Sequence, residues 1–323
     1  MYITRLTPVY KDYIWGGNKL KKLYGKQSTF DKIAESWELS CHQNGQCIVR
    51  DGKYAGKTLA EALAIEENKS IDEIKDKFPI IIKLINSNED LSIQVHPDNL
   101  TFNDKIITGK NEFWYILEAD NNSKIAYGLK EKVNKNQFDE LCKNGKIIDK
   151  LNFIPVKEGQ SFFINAGLIH SIGKGITLIE IQQNSDLTYR LYDYNRQDKY
   201  GNYRPLHIKD ALETAILSPT IYKDVERKQR NNSEIINLCN CPFFKIDKIS
   251  SINQFNITSD KSFICITVLN GNGNIKEIPL QKGDTVYIPK NSIADITGNL
   301  TFIKVTPGEM SLFSDNFKMS NNC

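Results

Sequence analysis

Histidine is scarce in this chain, 4 among 323 residues, and the usual shortcuts to a function are missing with it. No apolar run can cross a bilayer. Pro79-Ile80-Ile81-Ile82 and the stretch from Phe263 to Leu269 fall far short of the roughly 20 residues a spanning helix needs. The opening residues, Met1-Tyr2-Ile3-Thr4-Arg5, lack the apolar core of a signal peptide. Neither charge sign is in excess: 42 basic and 39 acidic residues leave a net +3, with no basic stripe for nucleic acid. The seven cysteines are an odd, scattered set and make a poor disulfide framework. Cys239 and Cys241 stand one residue apart without the second pair that a structural zinc site requires. Free thiols in the cytoplasm are the expectation. No glycine-rich loop leads into a helix, since Gly271-Asn272-Gly273-Asn274 reads as a turn. Any phosphate must therefore be held by side chains.

What remains is ordinary soluble composition, 40% apolar and 25% charged, in a chain long enough for one large or two ordinary domains. Short strands and turns fill the first 50 residues, among them the tight aromatic turn Trp15-Gly16-Gly17, read as a lid or packing turn. Thr58-Leu59-Ala60-Glu61 and Ser70-Ile71-Asp72-Glu73 have capping-box spacing, so a short helix should follow each. Core strands are predicted over Phe78 to Asn86 and Leu91 to His96, and helices over Asn136 to Lys143 and Leu206 to Leu217. Lys223 to Ser233 reads as a polar linker. Strands at 242–249, 262–270, 284–288 and 301–305 then alternate with Gly, Asn and Pro turns, the rhythm of a small antiparallel barrel.

The stretch that organises the chain is Leu91-Ser92-Ile93-Gln94-Val95-His96-Pro97-Asp98. Alternate side chains of a strand share a face, so Gln94 and His96 point one way while Ile93 and Val95 point the other. An amide oxygen and an imidazole one pleat apart make half of a metal site. Glu112, which opens the aromatic strand Phe113-Trp114-Tyr115-Ile116, and His170, which closes Gly159 to His170, are the candidates for the other half. A pair of core histidines satisfied by hydrogen bonds is the plain alternative for His96 and His170. His42 and His207 have no such company and are read as structural.

Gly159 to His170 resembles the cupin pattern Gly-x5-Pro-x-Gly-x2-His, with Asn165 in place of Pro. The combination of Trp15-Gly16-Gly17, Glu35-Ser36-Trp37-Glu38, Ser92 to Asp98, Gly109-Lys110-Asn111-Glu112 and Gln183 to Arg190 resembles the type I phosphomannose isomerases, in their short bacterial form. The resemblance implies a mainly β fold of two cupin (jelly-roll-like) β-barrels, with a few short helices decorating the first. The expected domains are residues 1–222, bearing the metal, and 234–323, a smaller barrel. In the second, Gly283 to Ala294 lines up with Gly159 to His170, and Ala294 stands where His170 stands. That barrel is expected to lack metal.

The implied activity is interconversion of mannose 6-phosphate and fructose 6-phosphate through an enediol. One Zn2+ per chain would be held by Gln94, His96, Glu112 and His170, a donor set suited to a borderline cation. Arg190, Lys110 and Glu180 are the implied catalytic residues. Lys83, Ser92 and Asp186 are the implied substrate contacts, with Tyr192 beside them. The base stays open between Glu180, a metal-bound hydroxide and a lysine. The expected partner is a small sugar phosphate, with no nucleic acid and no membrane, and the protein is expected to be a monomer or homodimer. A cupin dioxygenase would want iron held by more histidines. A sugar-phosphate sensor would bind without turnover.

Overall fold

A computed structural model describes residues 1–102, 105–198, 200–222, 229–230, 234–251 and 253–309. Three antiparallel sheets dominate. The first has six strands, in the order Ser161–Ile164, Glu112–Ala119, Ile176–Gln183, Ile80–Ser87, Glu35–Leu39, Val9–Lys11. The second has five, in the order Leu151–Pro155, Lys124–Leu129, His170–Ile172, Ile93–Val95, Tyr189–Tyr192. These two face each other, and the expected jelly roll takes the form of a double-sheet sandwich.

The third sheet gathers the strands from residue 229 onward around the long Ile293–Pro307 strand. It also recruits Thr4–Thr7, which pairs with Thr285–Ile288, and Ile48–Val49 beside it. Ala294, the counterpart of His170, is fully buried among Ile257, Ile264, Ile288 and Ile296. Among the described residues, the His, Cys, Asp and Glu side chains converge into a possible metal-holding group at one place only, in the first sandwich.

The alternation of the central strands explains how the layers stack. Phe113, Tyr115, Ile179, Ile181, Ile80 and Ile82 leave the six-stranded sheet on one face and share a core with Phe244, Ile246, Cys265, Tyr287 and Val305 of the third sheet. The residues between them, Glu112, Trp114, Glu180 and Lys83, point into the sandwich. On the outer face of the five-stranded sheet, Ile93, Val95, Leu129 and Leu191 are covered by Phe138, Cys142 and Ala211 from two helices.

The helices start where the caps predict. Thr58 and Glu61 exchange hydrogen bonds ahead of Leu59–Glu67, and Ser70 accepts from the Glu73 amide ahead of Ile71–Lys77. The two later helices are Lys135–Lys143 and Ile208–Thr214. Gly271 to Asn274 differs from expectation, because it lies inside the strand Ile264–Ile275. The linker expected over Lys223 to Ser233 lies outside the described residues, apart from the short strand Gln229–Arg230. Among the described residues no helix is long and apolar enough to cross a membrane.

Candidate metal centre

The strand Ile93–Val95 behaves as its period requires. Ile93 and Val95 are buried against the helices, so Gln94 and His96 face the interior of the sandwich. Its two neighbours in the sheet complete the row. His170 is the direct cross-strand partner of Gln94 on one side, and Arg190 is its partner on the other. From the facing sheet, Glu112 brings a carboxylate to the same space. Ligand atoms of His96, Glu112 and His170 all lie within 4.8 Å of one another, and all three residues are buried.

The hydrogen bonds decide which atoms face inward. Nδ1 of His96 lies 2.8 Å from the Leu187 carbonyl, and Nδ1 of His170 lies 2.8 Å from the Leu168 carbonyl. A carbonyl only accepts, so each Nδ1 carries the ring hydrogen and each Nε2 presents a lone pair. Those two Nε2 atoms are 3.2 Å apart. Burial, with Lys110 adding to it, pushes His96 down to about 3, and burial lowers His170 as well. Two neutral imidazoles thus turn lone pairs into one space, where the Lys110 ammonium also lies 3.1 Å from His96 Nε2, and a shared metal cation would suit both rings.

Glu112 fits the same demand. Burial alone would raise its pKa, but Lys110 and His96 outweigh that and hold it well below the ordinary carboxylate value. Its Oε1 is buried and receives no hydrogen bond, although Lys110 Nζ stands 2.8 Å away and His96 Nε2 3.1 Å away. The Gln94 amide is 3.4 Å from His170 Nε2 and 3.4 Å from Ser92 Oγ. Two imidazole nitrogens, a carboxylate oxygen and an amide oxygen suit zinc or a similar borderline divalent ion. The donated Nδ1 hydrogens are the outer bonds that fix metal-binding imidazoles.

The remaining expected residues fall in two groups. Lys83, Glu180 and Trp114 sit side by side, since Glu180 is the cross-strand partner of both the others. Lys83 is 3.0 Å from Glu180 and 3.8 Å from Glu35. Burial would lower Lys83, but Glu180 and Glu35 raise it instead, so it stays charged. Burial and then Glu112 raise Glu180, against the pull of Lys83. Arg190 directs Nε at Ser92 Oγ (3.3 Å) and NH1 at the Pro205 carbonyl (2.9 Å). Arg190 forms no salt bridge to Asp186 or Asp193, the acidic residues near it in sequence. Asp193 is engaged by Arg196 and Arg204, while Asp186 accepts from Asn44 and lies 3.7 Å from His42.

Two tryptophans beside these residues escaped the sequence reading of the site. Trp114 donates its indole N–H toward both Glu112 and Glu180. Trp37 donates to Glu35 and lies under the Lys83 ammonium. His42, read as structural, packs edge-on to Trp37 and beside Asp186. Period-two counting from Glu112 and Glu35 would have put the two tryptophans on the site's face. No local signal marks His42.

Comparison with known proteins is consistent with this geometry. Residues 3–138 match the family model described as phosphomannose isomerase type I, catalytic domain. Mannose-6-phosphate isomerase ManA of Bacillus subtilis is 34% identical over 292 residues, covering 87% of this chain and 91% of that protein. The mannose-6-phosphate isomerase of Streptococcus mutans is 33% identical over 85% of this chain and 89% of its own. The crystal structure of the Bacillus subtilis mannose 6-phosphate isomerase superposes with a TM-score of 0.83 at 32% identity, covering 95% of this chain and all of the other.

Proposed function

The chain belongs to the type I phosphomannose isomerase family, and from that membership we infer that it interconverts mannose 6-phosphate and fructose 6-phosphate in a metal-dependent reaction. The observation that carries the reading is the convergence of His96, Glu112 and His170, whose ligand atoms all lie within 4.8 Å of one another with the two Nε2 atoms 3.2 Å apart. We propose one zinc ion per chain, held by Gln94, His96, Glu112 and His170. Such an ion would supply a Lewis acid able to polarise sugar oxygens, with no redox chemistry of its own.

The chain's own residues do the rest. Isomerisation takes a proton from C2 and returns one to C1, leaving negative charge on O1 and O2 in between. Arg190 borders Gln94 in the sheet and keeps a planar, permanently charged fork at that edge, where it stabilises the developing oxyanion. Lys110, 2.8 Å from Glu112, adds a second fixed cation. Glu180 takes the C2 proton or orients the group that does, and its raised pKa suits proton transfer near neutral pH better than an ordinary carboxylate would. Lys83 and Ser92 are proposed to contact substrate, Lys83 while holding Glu180 and Ser92 while holding Arg190. Asp186 is proposed as a substrate contact from its more exposed position.

A coupled assay that detects fructose 6-phosphate formed from mannose 6-phosphate tests the reading. Turnover by the metal-loaded chain is expected. Tight binding of mannose 6-phosphate with no product would replace the isomerase by a sensor.

A further inference from the structure

Trp114 is fully buried, and its single indole donor stands between two carboxylates: 3.1 Å from Oε2 of Glu112 and 2.9 Å from Oε2 of Glu180. The same ring meets His170 nearly edge-on, with centroids 5.5 Å apart at 74°. The sheet builds this placement. Glu112 and Trp114 are two residues apart on one strand and share its inner face, and Trp114 is the direct partner of Glu180 on the next. The terminal torsion of a glutamate is broad and nearly two-fold, so its carboxylate needs a fixed partner to hold one orientation. Oε2 of Glu112 has that partner in the indole. Oε1 is thereby left facing Nε2 of His96 at 3.1 Å.

We propose that Trp114 is a positioning residue for the metal centre, its N–H fixing the Glu112 carboxylate and its ring edge fixing His170. The proposal rests on reading Glu112 and His170 as ligands. One side chain then constrains two of the four donors and ties them to Glu180. A tryptophan serving only as core filler would need no acceptor beyond the one that satisfies its N–H, and no contact with a donor ring.

Trp15 supplies the control. It lies in the same buried cluster, and its indole makes no hydrogen bond among the described residues. Trp114→Phe and Trp15→Phe remove similar bulk from one core, but only the first removes the bond to Glu112. Zinc affinity of the full chain is measured by chelator competition, alongside the melting temperature of each metal-free protein. Trp114→Phe is expected to bind zinc about tenfold or more weakly than wild type, the usual effect of losing an outer bond to a ligand. Trp15→Phe is expected to keep its affinity even where its melting temperature falls as far. Equal zinc affinity in the two variants overturns the proposal.

His96→Ala separates this from failure of the ligand assignment. If His96→Ala leaves zinc affinity unchanged, the ligand set falls and the proposal with it. If His96→Ala weakens binding and Trp114→Phe does not, the positioning role alone falls. Should Trp114→Phe not fold, the three indole N–H resonances of labelled protein decide, with Trp15 and Trp37 assigned from Trp15→Phe and Trp37→Phe. The Trp114 resonance is expected to shift when zinc is added, and a resonance that does not move overturns the proposal.

Discussion

Arg190 is proposed to carry the oxyanion's charge while standing outside the proposed donor set of Gln94, His96, Glu112 and His170. Its guanidinium makes no carboxylate pair among the described residues, being held by Ser92 Oγ and the Pro205 carbonyl, so its charge remains available to an oxyanion. Arg190→Ala should lower kcat by about a hundredfold or more, the cost of losing one preorganised oxyanion partner, while zinc affinity measured by chelator competition stays within about twofold. Arg190→Lys should not restore the rate, because a single ammonium cannot reproduce the planar fork. An acid response also belongs at this scale. His96 is held neutral in the fold down to about 3, so between its ordinary value near 6.5 and about 3 the unfolded chain binds the extra proton. Its contribution is unpenalised above the unfolded value and is lost as pH falls through that window. In chelator, wild type should therefore lose stability more steeply between roughly pH 6.5 and 4 than His96→Asn, as read from denaturant midpoints. Much of the site was legible residue by residue. Strand alternation alone puts Gln94 and His96 together. The convergence of Glu112 and His170 came from family resemblance, since nothing local fixes the register that makes His170 the partner of Gln94. The Lys83–Glu180 pair depended likewise on a register that sequence does not display.

Among the elements, caps were easier to read than strand interiors. Thr58 and Glu61 exchange hydrogen bonds at the start of Leu59–Glu67, a purely local motif with local consequences. Thr58→Ala should cost about 1 kcal/mol in thermal or chemical unfolding and leave the isomerase rate per folded molecule unchanged. Gly271 is the contrary case. Its composition suggests a turn, yet it sits in the strand Ile264–Ile275 with φ +85°, directly after a register shift between Val268 and Asn270. A Cβ there would stand 1.9 Å from the Asn299 carbonyl oxygen, so the backbone of the neighbouring strand would have to move. Glycine is used in the strand because two backbones approach closely, a tertiary fact that composition cannot convey. Gly271→Ala should lower the denaturation midpoint by more than Thr58→Ala does.

At the scale of the whole molecule, the sandwich and the third sheet share one core. Phe113, Tyr115 and Ile181 pack with Phe244, Cys265 and Tyr287. A buried polar link reinforces it: Lys26 bonds to Glu38 at 2.7 Å and to the Gly283 carbonyl at 2.6 Å, and Glu38 accepts from Thr285 at 2.8 Å. Removing Glu38 leaves the Lys26 charge buried and uncompensated, so Glu38→Ala should cost about 3–5 kcal/mol in an unfolding titration. One ion between His96, Glu112 and His170 is proposed to be what makes this molecule an isomerase. That role is tested most directly by stripping the protein, returning zinc in measured steps, and following bound zinc and fructose 6-phosphate formation together. No turnover is expected in the stripped protein, with a rate that rises in proportion and levels off at about one zinc per chain, the stoichiometry a single four-donor site imposes. Full activity in the stripped protein, or zinc bound at that level without turnover, would contradict it.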